Sequence, residues 1–235
     1  MKLWYVVSAL ALVVSSTGCD EATDSSSEGQ TIAVNAAAAE ANAEAAITAA
    51  LAVKQGEGAG SVRSFVGLGS SALALLAPGT TGTETQARPQ LTALGPLPED
   101  GEEGVDCSDV ACTFDGYSPL GTYVVNGTLS WADDHLVADL SVTTTQRGMS
   151  FVFDATADLV LEGESLDGVV ETSGHVVIPQ AQQYGADGEA DWTARVEYHD
   201  LSFADGKPSG GSLDVSATLS TGDASYDGNL SLSFP

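Results

Sequence analysis

Three histidines carry the side chains best suited to proton transfer near neutral pH, and they lie in the C-terminal half of the chain: His135, His175 and His199. The alternation of polar and apolar residues around them places each on the polar face of a predicted strand. Catalysis by histidine also needs a nucleophile and an orienting group within hydrogen-bond reach. The chain has no G-x-S-x-G, H-E-x-x-H or phosphate-binding glycine motif. We therefore predict no catalytic residue and no cofactor, with His199, next to Asp200, the first histidine to test.

The N-terminus has the pattern of an export signal. The apolar run Leu3 to Val14 follows a basic residue, is too short to span a bilayer as a mature helix, and has the length of a signal-peptide core. We expect residues 1–18 to be a signal peptide. The next residues, Ser16 to Cys19 (STGC), resemble the lipobox of bacterial lipoproteins, although an aliphatic residue is commoner at Ser16. The resemblance implies that Cys19 is acylated and holds the protein to a membrane of the bacterial cell envelope, inner or outer; ordinary secretory cleavage is the alternative.

The other two cysteines, Cys107 and Cys112, have a C-x4-C spacing. If Cys19 is acylated, as the resemblance implies, they form an even pair in a chain that reaches an oxidising compartment. The spacing differs from the C-x-x-C of thioredoxin-type proteins, and two thiolates are too few for a structural zinc site. We predict a disulfide between them, with redox chemistry or metal binding as alternatives.

Carboxylates that are close in sequence offer oxygen ligands for calcium at two places: Asp187, Glu189 and Asp191, and the range Glu99 to Asp109. Neither matches the twelve-residue spacing of an EF-hand loop. Both are interpreted as solvated acidic loops, and we predict no metal site.

The composition restricts the partners. Thirty-three acidic residues against seven Lys and Arg give a formal net charge of −26 at pH 7, which opposes association with nucleic acid or an anionic membrane surface. The hydrophobic content of 43% is too high for a wholly disordered chain. We expect one folded domain with extensions, no nucleic-acid partner, and a membrane contact made through the lipid anchor. Another envelope protein or an apolar small molecule is the possible further partner.

The N-terminal half divides into three predicted parts. Residues 19–30 are acidic and Ser-rich and are expected to be a tether. Residues 31–77 are expected to form a helical hairpin: an Ala-rich helix runs to Lys54, and a second covers Val62 to Ala77, whose apolar residues recur at helical spacing. We predict that the second helix packs across the apolar face of a sheet. Residues 78–105, rich in proline, glycine and acids, are expected to be a linker without regular structure.

From residue 106 to residue 235 the apolar period changes to two, which predicts an antiparallel β domain. Eight strands are expected, near residues 110–115, 122–131, 136–142, 151–161, 166–178, 192–203, 213–219 and 226–234. Short turn-forming pairs separate several of them, which favours a meander curled into a barrel-like or sandwich-like sheet. In the sixth strand the apolar phase slips between Tyr198 and Leu201, so we predict a β-bulge near His199 or Asp200.

No feature of the sequence identifies a specific function. A noncatalytic envelope lipoprotein with a binding or structural role requires no further motif and is the preferred hypothesis. The alternatives are a carrier that holds an apolar ligand in the sheet, an eight-stranded outer-membrane barrel, and an enzyme of unknown type. The barrel is disfavoured because its narrow interior would receive many carboxylates and little compensating positive charge.

Overall fold

The computed structural model describes residues 30–31, 33–54, 75, 103–108, 110–118, 123–146, 149–177, 188–222 and 224–235. The elements among them are β1 (Gln30–Thr31), α1 (Ala36–Lys54), β2 (Val105–Cys107), β3 (Ala111–Tyr117), β4 (Tyr123–Ala132), β5 (His135–Gln146), β6 (Met149–Glu162), β7 (Ser165–Val177), β8 (Glu189–Ala204), β9 (Lys207–Thr221) and β10 (Ala224–Phe234).

The described strands form one sheet in the order β1-β10-β9-β8-β7-β6-β5-β4-β3-β2. Strands β2 to β10 pair antiparallel with their neighbours in sequence, so they form a meander. The order is linear with β1 and β2 at its edges, and the sheet is therefore not closed within the described residues. The predicted mainly β class and antiparallel meander are confirmed.

Two short strands were not predicted. Strand β2 pairs Cys107 with Cys112 across a tight hairpin, and it begins at Val105, inside the predicted linker. Strand β1 pairs in parallel with the last strand, with Gln30 opposite Tyr226. Of its two residues, Gln30 belongs to the predicted tether and Thr31 to the predicted helical segment. Both strands are too short to show a period of two, so pairing with a distant or disulfide-linked partner defines them.

The alternation in the strands places the apolar side chains on one face. In β8 the buried positions are Ala190, Trp192, Ala194, Val196 and Tyr198, and exposed or half-buried residues stand between them. Two-residue connections keep neighbouring strands in register, as at Asp133–Asp134 and Gly163–Glu164. Asp133 has φ 54° and Gly163 has φ 65°, a left-handed conformation that Gly and, less readily, Asp adopt.

The predicted bulge is present in β8. The pairing with β9 shifts between His199 and Ser202, and Asp200 has φ 46°. The backbone N–H of Asp200 donates to Oδ1 of Asp167 on β7 at 2.8 Å. On the other side, a Cβ at Gly211 would lie 2.2 Å from the carbonyl oxygen of Asp200, so the close approach of the two backbones requires glycine there.

Helix α1 lies against the apolar face. Its first turn is capped by Asn35, whose Oδ1 accepts from the N–H groups of Ala37 at 3.1 Å and Ala38 at 3.3 Å. The residues it buries recur three or four positions apart, as in Ala39, Asn42, Ala43, Ala46, Ile47 and Ala50. The apolar side chains among them are part of the same core as the inner face of the sheet.

The predicted second helix, Val62 to Ala77, lies outside the described residues except for Leu75. Leu75 is fully buried in the shared core, and its carbonyl oxygen accepts from the N–H of Asn35 at 2.8 Å. Among the described residues, α1 therefore covers the apolar face of the sheet, with Leu75 beside the start of that helix. None of the described helical residues forms a helix long and apolar enough to cross a membrane.

Candidate functional site

The outer, polar face of the sheet carries a concavity of about 690 Å³, which we call the trough. Its walls come from the five consecutive strands β6 to β10. The volume is that of a small-molecule site. It therefore is the candidate site among the described residues.

Strand register arranges the outward side chains of the trough in two rows that run across the strands. The first, the aspartate-ended row, consists of Asp154, Ser173, Thr193, Thr218 and Asp227. The second, the arginine row, consists of Thr156, Glu171, Arg195, Ser216 and Asn229. Since neighbouring strands lie about 4.8 Å apart, each row spans roughly 19 Å. The trough is thus an elongated site that crosses five strands.

Arg195 lies in the middle of the trough between two carboxylates. Its Nε donates to Oε1 of Glu197 at 2.6 Å, and its Nη1 donates to Oε1 of Glu171 on the neighbouring strand. The hydrogen bonds to Glu197 and then Glu171 raise the pKa of Arg195 above its ordinary value. Because the guanidinium is held by both glutamates, it is not a free cation for an anionic ligand.

The other polar side chains of the trough are hydroxyls, the amide of Asn229 and two carboxylates. Thr193 and Thr218 join their Oγ1 atoms at 2.7 Å, which leaves further acceptor capacity on both oxygens. Among the described residues, Asp154 and Asp227 have no ion-pair partner, and they stand at the two ends of their row. The site therefore offers hydrogen-bond acceptors along its length and negative charge at its ends.

The three histidines are on the polar face, where they were predicted, and each contacts an aspartate on a neighbouring strand. The pairs are His135 with Asp158 at 2.6 Å, His175 with Asp191 at 2.7 Å, and His199 with Asp214 at 3.1 Å. Their side chains are 41% to 48% exposed. Half-exposed pairs of this kind are not enclosed in a cleft, where an active-site histidine would be expected to lie.

A serine contacts one of these histidine–aspartate pairs, but the three side chains are not in the order that nucleophilic catalysis needs. Ser231 donates its Oγ hydrogen to Oδ1 of Asp214, and Oδ2 of the same aspartate contacts Nε2 of His199. In a catalytic triad the histidine lies between the serine and the acid so that it can take the hydroxyl proton. Here the aspartate occupies that middle place, so His199 does not activate Ser231 in this arrangement.

The inner face is occupied by α1. The hydroxyl of Tyr198 donates to Oδ1 of Asn42 at 2.6 Å, with both residues buried. Burial raises the pKa of the Tyr198 hydroxyl, so that it remains a donor. At the other end of the helix, a gap between Ala50, Leu136 and Leu159 holds only about 10 Å³, too little for any ligand larger than water.

The predicted disulfide is present between Cys107 on β2 and Cys112 on β3, and neither residue lines the trough. Cys19 lies outside the described residues. So do Asp187 and, within the range from Glu99 to Asp109, residues 99–102 and Asp109, whereas Asp191 is paired with His175. Within the described ranges no three His, Cys, Asp or Glu residues come together to hold a metal ion.

Sequence reasoning missed the trough because no local motif marks it. Its lining residues are ordinary outward positions on five strands, and only their register joins them. Comparison of this chain with protein-family models, curated proteins and solved structures finds no match.

Proposed function

We propose that this chain is a noncatalytic lipoprotein of the bacterial cell envelope, held to a membrane through acylated Cys19, that binds its partner in the trough. The anchor rests on the export signal and the lipobox-like residues Ser16 to Cys19. A short acidic tether follows Cys19 and would hold the domain away from the membrane surface.

The observation that carries the binding role is that the two faces of the sheet differ: one packs on the helix and the other holds the trough. The apolar face packs on α1, with Ile47 and Leu75 fully buried there. The polar face holds a ligand-sized concavity of about 690 Å³. A polar partner bound in the trough therefore needs no rearrangement of the core, whereas an apolar ligand on the inner face would have to displace the helix.

A noncatalytic role is also favoured by the arrangement of the reactive side chains. The described histidines are committed to aspartates on the open surface, and Asp214 separates His199 from Ser231. The arginine of the trough is held by two glutamates. These contacts stabilise the sheet across its strands and supply no nucleophile paired with a base.

A thermal-shift panel of four compound classes, amines, neutral saccharides, anions and apolar molecules, tests the binding role on the purified full chain. Ligands that bind the native state raise its melting temperature. We expect a stabilising class whose effect is lost in Thr193→Arg, which fills the trough with a long side chain. The matched control is Thr113→Arg on the outward side of β3, outside the trough. Stabilisation that Thr193→Arg leaves unchanged, or no stabilisation by any class, would contradict binding in the trough.

The anchor is tested separately by intact-mass measurement of protein extracted from membranes. We expect a mature chain that begins at Cys19 and carries the added mass of acyl chains. A mature chain with an unmodified Cys19 would reject the lipoprotein assignment.

A further inference from the structure

The chemistry of the trough disfavours two classes of small ligand. Its one cation among the described lining residues, Arg195, is bound by Glu171 and Glu197, so an anionic ligand would find no free positive charge. None of the described lining residues is aromatic, so a sugar ring or a planar heterocycle would find no stacking surface. With carboxylates at both ends of one row, Asp154 and Asp227, the trough best fits a polar ligand that carries positive charge.

The positions of the charges indicate the shape of that ligand. Asp154 on β6 and Asp227 on β10 end the same cross-strand row, roughly 19 Å apart at the usual strand spacing. Between them lie only hydroxyls, those of Ser173, Thr193 and Thr218. An ammonium group donates up to three hydrogen bonds and makes short contacts with carboxylates. One ammonium at each end and donor groups between them would match this row.

Accepting the proposed binding role of the trough, we infer that its ligand is a linear aliphatic polyamine, which lies across strands β6 to β10 with its terminal ammonium groups on Asp154 and Asp227. A fully extended tetraamine of the spermine type, at the reach per bond of an extended chain, is roughly 16 Å long between its terminal nitrogens. It can therefore bridge the two carboxylates. A four-carbon diamine of the putrescine type, roughly 6 Å long, reaches only one of them.

Length selectivity separates this site from the general attraction of polycations to an acidic protein. Because spermine also carries twice the charge of putrescine, isothermal titration of the full chain at physiological salt would compare putrescine with 1,12-diaminododecane, a diamine of equal charge whose nitrogens are roughly 16 Å apart, like the terminal nitrogens of spermine. We expect this long diamine to bind about two- to fivefold more tightly, because its second ammonium forms a second exposed ion pair at high effective concentration once the first is in place.

Three charge-removing variants locate the site. Asp154→Asn and Asp227→Asn should each weaken binding of spermine and of the long diamine by about two- to fivefold, as expected for exposed ion pairs, and together they should abolish the preference for the long diamine over putrescine. The matched control, Asp115→Asn, removes the same charge from an exposed position on β3 and should leave spermine binding unchanged. Since all three side chains are exposed, unchanged melting temperatures would show that the variants fold.

Each other outcome has a definite meaning. Equal weakening by Asp115→Asn, or equal affinity for the long diamine and putrescine, would show that only the overall field attracts the amine and would overturn the inference. If spermine does not bind but another compound class shows stabilisation that Thr193→Arg removes, the inference fails and the proposed binding role stands. If nothing binds in the trough, both fail.

Discussion

Replacement of Asn42 by alanine tests whether α1 is a fixed part of the core. Asn42 and Tyr198 are 1% and 2% exposed, and the hydrogen bond between them is 2.6 Å long. Asn42→Ala leaves the tyrosine hydroxyl buried without this acceptor, at a cost of about 1–3 kcal/mol. Alanine regains roughly 0.5 kcal/mol of helix propensity. The net loss of unfolding free energy should therefore be about 0.5–2.5 kcal/mol.

The assay is urea unfolding of the single variants Asn42→Ala and Tyr198→Phe and of the double variant. The sum of the stability losses in the two single variants should exceed the loss in the double variant by about 1–2 kcal/mol. The reason is that the second substitution removes a group that the first has left unsatisfied. Thr48→Ala is the matched control. It removes the exposed hydrogen bond that the Thr48 hydroxyl donates to the backbone carbonyl oxygen of Glu44 within α1, and it should change stability by less than about 0.5 kcal/mol. If Asn42→Ala costs no more than Thr48→Ala, or if the two losses simply add, α1 is not held in the core by this contact.

Three further predictions follow from other contacts. Burial raises the pKa of Tyr198, so the contribution of this hydroxyl to stability is complete below the unfolded pKa of about 10 and is lost above it as the unfolded chain ionises. The unfolding free energy, measured against pH, should therefore fall less steeply above pH 10 in Tyr198→Phe than in the natural chain. Parallel curves for the two proteins would refute this. A Cβ at Gly174 would lie 2.6 Å from ring atoms of Trp192, so Gly174→Ala should lower the melting temperature through a loss of about 1–3 kcal/mol of unfolding free energy. The control, Gly210→Ala, should be nearly neutral because the nearest atom to its new Cβ is 3.4 Å away. Equal effects of the two substitutions would contradict the packing of Gly174 on the tryptophan ring. Reduction of the Cys107–Cys112 disulfide should cost about 2 kcal/mol by the chain-entropy model, measured by thermal unfolding with and without reductant, and a Cys107→Ser/Cys112→Ser variant should be insensitive to the reductant.

The strands were predictable because the apolar side chains of the sheet lie on one face, where they are buried or half-buried. A period of two in apolar residues is a local signal, and a phase slip such as that between Tyr198 and Leu201 is visible without knowledge of the partner strand. The slip coincides with the bulge at Asp200. Strands β1 and β2 give no such signal because they are two and three residues long.

The role of α1 was not predictable from its residues. Alanine occupies both its buried and its exposed sides, as at Ala43 and Ala41, so the sequence does not distinguish the faces. Val62 to Ala77 has larger apolar residues and was the natural choice for the cover of the sheet. The contact between Asn42 and Tyr198 joins residues that are 156 positions apart, and no local pattern reports such a pairing.

The trough illustrates a different limit. Register across a two-residue turn can be obtained by counting outward from it, which places Thr156 opposite Glu171 and Thr218 opposite Asp227. Strands β7 and β8 are joined by the longer segment 178–188, where counting gives no unique answer. The pairing of Ser173 with Thr193, and with it the continuity of the rows, needed the structure.

The contact between α1 and β8 also has a consequence for the order of events during synthesis. The helix is made before the strands that it packs against, so its inner side must wait, exposed, until β8 and β9 arrive. That side consists mostly of alanine methyl groups, with Ile47 the main larger apolar side chain. Methyl groups bury little apolar area and attract few wrong partners. A cover built from alanine thus lets a nascent chain carry its future core element for most of its length without promoting aggregation.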